Sequence, residues 1–85
     1  MEKKISYPQY RKYHNGKNYF RISSPSELEE IQFMGSKCFI NKLEAKILPD
    51  RNFIHDLTFD FSENAAEIPE KEYLDARERC LAGRN

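Results

Sequence analysis

The sequence predicts an α+β domain: an antiparallel sheet of about four strands in the order β-β-α-β-β-α, with two helices packed on one face. Three observations lead there. The run Leu43–Phe61 alternates apolar and polar residues on both sides of Pro49-Asp50-Arg51-Asn52. Asn15-Gly16 divides two aromatic-rich runs, and Pro69 to Leu81 repeats its apolar residues at helical spacing. Alternation marks strands, 3.6-residue spacing marks helices, and Asn-Gly between apolar runs marks a hairpin.

Taken in order, residues 1–6 form a loose basic lead-in to a single domain spanning residues 1–85. Pro8 to Ser23 is the first hairpin. A two-residue Asn15-Gly16 turn pairs Tyr10 with Arg21 and Arg11 with Phe20, which leaves neither face cleanly apolar. A three-residue loop, His14-Asn15-Gly16, sets Tyr10 by Phe20 on an inner face. Arg11 then lies by Tyr19, Tyr13 by Lys17 and Gln9 by Arg21 on an outer one. The patterning favours the three-residue loop, although the two-residue turn is the commoner hairpin form.

Ser24, Pro25 and Glu27 supply an N-cap, a first helical residue and a capping box, which predicts a helix ending at Gly35. Leu28, Ile31 and either Phe33 or Met34 are its buried stripe. Ser36–Leu48 reads as one strand, bent near Asn41-Lys42, where the apolar parity changes. The next strand carries Phe53, His55, Leu57, Phe59 and Phe61 on one face. A three-residue loop, Asp50-Arg51-Asn52, sets Ile47 by His55, Ala45 by Leu57 and Leu43 by Phe59. This hairpin is expected at the centre of the sheet, with Leu57 and Phe59 among the most buried residues. Residues 62–67 are a polar linker. The final helix starts near Pro69, carries Tyr73, Ala76 (or Arg77) and Cys80 at helical spacing with Leu74 and Leu81 alongside, and stops at Gly83, leaving residues 83–85 as a tail.

Net charge is zero, from 14 basic and 14 acidic residues, so whole-molecule attraction to nucleic acid or anionic lipid is not indicated. The charges are unevenly spread. Residues 1–21 hold six Lys and Arg against Glu2 alone, while Asp56 to Glu78 hold eight carboxylates against Lys71 and Arg77. No apolar run approaches membrane-spanning length, and none follows the basic start as in a signal peptide. Cytoplasmic residence and two free thiols, Cys38 and Cys80, are the resulting expectation.

Chemistry-bearing patterns are sparse. Glu44-Ala45-Lys46 and Pro49-Asp50 resemble the Glu-x-Lys and Pro-Asp elements of metal-dependent nucleases, but in the reverse order and only three residues apart. His55 and Asp56, adjacent on a strand, point to opposite faces and cannot share an ion. A pocket joining His55 to Cys38 or Cys80 would suit nucleophilic chemistry. No Gly-rich phosphate loop, serine elbow or Cys-x-x-Cys pair occurs. No metal, cofactor or catalytic residue is therefore assigned.

What remains is the first hairpin, where tyrosines interleave with cations. Arg11, Tyr13, Lys17, Tyr19 and Arg21 are expected to form one outward binding face. Tyr and Arg are the usual anchors of protein interfaces. The chain is thus read as a non-enzymatic module that binds protein, a second copy of itself included. Single-stranded nucleic acid held by the same hairpin is one alternative, since rings stack on bases and Arg pairs with phosphate. A small thiol- or His-dependent enzyme or small-molecule binder is the other.

Overall fold

The computed structural model describes residues 6–83. The expected lead-in before Ser6 and the tail beyond Gly83 lie outside the described residues. The α+β class and the antiparallel sheet are present, with five strands and two helices. Strands β1 (Gln9–Tyr13), β2 (Asn18–Ser24), β3 (Glu27–Met34) and β4 (Lys37–Glu44) follow one another as a meander. Helix α1 (Leu48–Phe59), strand β5 (Ala65–Glu67) and helix α2 (Glu70–Ala82) complete the chain. The sheet order is β4-β3-β2-β1-β5.

The helices lie on opposite faces of the sheet, not on one. Tyr19 and Phe20 are neighbours on β2, so their side chains point oppositely. Tyr19 joins Tyr10 and Ile31 under Tyr73, Ala76 and Cys80 of α2, while Phe20 joins Ile22 and Leu28 under Ile54 and Leu57 of α1. This two-sided cover accounts for most departures from the expected elements.

The segment 27–34 is a strand where a helix was expected. Leu28 and Ile31, three residues apart, imitate a helical stripe, yet each is buried under a different helix. A central strand covered on both sides need not alternate. The Ser24-Pro25-Ser26-Glu27 pattern serves a hairpin instead of a helix start. Pro25 and Ser26 form the tip, and the Ser26 amide donates to Ser24 Oγ at 3.2 Å.

The opposite correction applies to Leu48–Phe59, expected as turn and central strand and found as α1. Pro49 stands in the first helical positions and Asp50 in the first turn, signals that serve a helix start as well as a loop. Ile54, Leu57 and Thr58 form the buried stripe. Leu57 is buried as expected, whereas Phe59 remains 47% exposed. The bent strand Ser36–Leu48 is correspondingly shorter and ends at Glu44.

The first hairpin adopts the register that patterning disfavoured: Tyr10 faces Arg21 and Arg11 faces Phe20, around Asn15-Gly16. The Gly16 amide donates to Tyr13 O at 2.9 Å, and Gly16 takes φ +73°, a left-handed conformation open to glycine. Neither face looked clean because neither is a solvent face. Residues 65–67, expected as linker, add a short edge strand to β1 with Ala65 buried. The last helix lies where expected, burying Tyr73, Ala76 and Cys80 and stopping at Gly83.

Candidate interaction surface

The five hairpin residues singled out from the sequence do not share a face. Arg11 and Tyr13 lie on the α1 side, Tyr19 and Arg21 on the α2 side, and Lys17 in the exposed turn. Arg11 is 1% exposed. Its Nε donates to Leu57 O at 2.9 Å, Nη2 to Thr58 O at 3.1 Å and Nη1 to Tyr10 O at 2.8 Å, and the guanidinium lies 4.1 Å from the Phe61 ring centre. The last carbonyls of a helix have no partner within it and carry its negative end. Arg11 thus caps α1 from inside the fold. Burial holds its pKa below the ordinary value, with Glu67 acting in the opposite direction.

Tyr13 is half-buried, edge-on to Phe20 at 4.8 Å, and burial raises its pKa. Tyr19 is 7% exposed between the Phe33 ring and the Lys12 ammonium. Of the five, Lys17 and Arg21 are the exposed ones. The uneven charge distribution is partly spent inside the fold. Lys12 pairs with Glu72 at 2.7 Å, and Tyr10 donates to Glu70 at 3.0 Å. Buried Glu29 accepts from Tyr73 Oη at 2.6 Å and from Arg77 Nε at 3.2 Å. Burial first, then the Glu29 contact, pushes the Tyr73 pKa far above the phenol range.

The cysteines are not free thiols. Cys38 on β4 and Cys80 on α2 form a disulfide, with Cα atoms 5.6 Å apart. Two residues from chain segments expected to be core thus clamp the last helix to the sheet. His55 belongs to α1, on the other face, beside Phe59 at 4.9 Å, so it does not meet either sulfur. The Glu44–Lys46 and Pro49-Asp50 pattern forms the entry to α1, where the Lys46 amide donates to Asp50 Oδ2 at 3.3 Å.

The surface left open lies at the other margin of the sheet. The sheet's two edges differ: β5 has three residues and runs into Pro69, while β4 has eight. The direction of β4's backbone groups follows from its ladder. Residues 45 and 26 continue the β3–β4 register, and the Ala45 amide donates to Ser26 O at 2.7 Å. Antiparallel pairs alternate between hydrogen-bonded and not. Odd-numbered residues of β4 therefore bond to β3, and Cys38, Ile40, Lys42 and Glu44 direct their amides and carbonyls outward.

Apolar side chains accompany that edge. Met34 is 56% and Phe39 42% exposed, on the α1 side of the sheet but outside the cluster that α1 covers. Leu43 is half-buried on the same side. On the α2 side an open cleft of about 610 Å³ lies beside β4, with Phe33, Lys37, Cys38, Arg79 and Cys80 in its walls. Its sequence signal was partial: Ser36–Leu48 reads as a strand after a Gly-Ser turn, although its apolar parity changes at Asn41-Lys42. What the sequence did not reveal was that this strand is the outermost. No family model matches the chain, and neither a curated protein nor a solved structure shows significant similarity to it.

Proposed function

We propose that this protein is a non-enzymatic interaction module that binds protein, and that it does so along β4 more than through the first hairpin. The observation that carries this reading is the eight-residue edge whose outward hydrogen-bonding groups run beside exposed Phe39 and Met34. An extended segment can add to such an edge, with backbone bonds supplying affinity and flanking side chains supplying specificity. Natural folds usually shorten or cover their edges, as β5 does here. Lys17 and Arg21 stay available to flank a partner. The nucleic-acid alternative draws less support, because stacking needs bare rings and Tyr10 and Tyr19 are buried. The nucleophile alternative loses its thiols to the disulfide.

Among the described residues no helix is long and apolar enough to cross a membrane. The cytoplasmic expectation rested on the apolar pattern of the sequence, and two free thiols followed from it; Cys38 and Cys80 are bonded instead. A bonded pair fits an oxidising compartment better.

Selection of extended peptides from a displayed random library, followed by amide-resolved NMR titration, tests the reading. Selected peptides should shift the amides of Cys38, Ile40, Lys42 and Glu44, and Lys42→Pro should abolish binding. Peptides that shift only the first hairpin would overturn the assignment. So would salt-sensitive binding of a 20-nucleotide single strand that leaves β4 unshifted and is lost on replacing Lys17 and Arg21.

A further inference from the structure

We infer that the partner of β4 is a second copy of this chain, paired edge to edge across a twofold axis through Asn41. The inference rests on the reading of β4 as the binding edge and adds a register. A new ladder must be made by the groups that point outward, those of Cys38, Ile40, Lys42 and Glu44. Only registers that bring even-numbered residues opposite even-numbered ones can do this. In such registers both copies keep the same face of the sheet up, giving one continuous ten-stranded sheet.

Among those registers one uses the whole strand. Centring the axis on Asn41 sets Cys38 opposite Glu44 of the second copy and Ile40 opposite its Lys42, and the symmetric pairs repeat this. All four outward residues of each copy are then satisfied within β4. Moving the axis to Ile40 leaves three such residues paired within the strand. Moving it to Lys42 also leaves three and puts two lysines face to face, which is unfavourable.

The side chains agree with the same register. On the α1 side, exposed Phe39 meets half-buried Leu43 of the second copy, and Asn41 meets Asn41. On the α2 side, the Lys42 stem lies along Ile40. Glu44 of the second copy stands beside Cys38, at the cleft whose wall carries Arg79. That is a match of charge as well as of backbone. The two α2 helices do not compete for space, because Cys38 and its counterpart are six residues apart along the paired strands, roughly 20 Å.

Sedimentation equilibrium and intermolecular cross-linking test the pairing on the full chain. The wild type should show a reversible monomer–dimer equilibrium. Lys42→Pro removes an outward amide and spares the bonds to β3, as proline at an edge can. Because the twofold repeats the loss, the dissociation constant should rise by about a hundredfold while the fold is retained. Asn41→Cys should form a chain-to-chain disulfide on mild oxidation, since directly opposed residues on antiparallel strands lie within disulfide range. Phe39→Cys, which faces Leu43, should not link to itself. A dimer indifferent to Lys42→Pro, or linked through Phe39→Cys instead of Asn41→Cys, overturns the pairing. A wild type that stays monomeric at millimolar concentration overturns it too. If selected peptides still bind β4 in that case, the interaction-module reading survives; if they do not, both readings fall.

Discussion

Replacing Arg11 by methionine should remove a large share of the protein's stability, although Arg11 sits in a stretch that looks like surface. The guanidinium is 1% exposed and donates to three backbone carbonyls, two of them in the last turn of α1. A hydrogen bond to a charged group contributes about 1.5–3 kcal/mol, and a buried carbonyl left without a donor costs about 1–3 kcal/mol. Methionine fills much of the volume and avoids the cost of burying a charge, which offsets part of the loss. The balance is a destabilisation of about 3–5 kcal/mol. A domain of 85 residues has about 4–13 kcal/mol in total. Arg11→Lys should recover only part, because one ammonium cannot reach carbonyls arrayed around a planar fork. Urea unfolding followed by circular dichroism measures this directly, with the slope on denaturant expected to stay the same. An unfolding free energy for Arg11→Met within about 1 kcal/mol of wild type would refute the capping role and, with it, the position of α1 against β1.

Reduction of Cys38–Cys80, which closes a loop spanning 42 positions, should cost up to about 4 kcal/mol by chain entropy and lower the melting temperature by about 15–30 °C; equal melts with and without reductant, together with two titratable native thiols, would contradict it. Leu57→Ala should cost about 2–5 kcal/mol, while Phe59→Ala, half exposed, should stay within about 1 kcal/mol. Equal losses in a thermal melt would restore a strand with both residues inward. Stability should also fall as pH rises above about 10. Tyr10, Tyr13 and Tyr73 all have folded pKa values raised above the ordinary phenol value, chiefly by burial, so the unfolded chain loses its protons first. This contribution is intact below about pH 10 and drains away as pH climbs toward the folded values. The phenolate absorbance of these three should therefore appear together with unfolding; their early ionisation in the folded state would disprove the burial.

The parts of the fold legible in the sequence are those with a single partner surface. Helix α2 has one buried stripe and one wet face, so spacing alone picked out Tyr73 and Cys80 and narrowed the position between them to Ala76 or Arg77. Asn15-Gly16 marked its hairpin by backbone chemistry. The middle of the chain was not legible because its residues serve two layers. In β3, Leu28 goes to α1 and Ile31 to α2, so strand residues appear at helical spacing. In α1, Phe53 and Phe59 are exposed, and their alternation with Leu57 imitates a strand. Pro49 and Asp50 open helices and turns alike. The binding residues failed for the same reason. Arg11 and Tyr19 were assigned to the surface on the assumption of one wet face, and at both positions the sheet is covered, by α1 over Arg11 and by α2 over Tyr19. The β4 edge was visible as part of a strand, but edge position depends on strand order, which the apolar pattern does not encode.

Amide hydrogen exchange along Lys37–Glu44, measured by NMR in dilute solution, tests the central claim most directly. An open β4 edge gives a two-residue rhythm: slow exchange at Phe39, Asn41 and Leu43, bonded to β3, and fast exchange at Cys38, Ile40, Lys42 and Glu44, which face the free edge. Raising the concentration should then slow the fast set and leave the slow set unchanged. Uniform protection of all eight amides in the dilute monomer would mean that β4 is an interior strand. Uniformly fast exchange would mean that β4 is not in the sheet. Either result would contradict the open edge on which the proposed function stands.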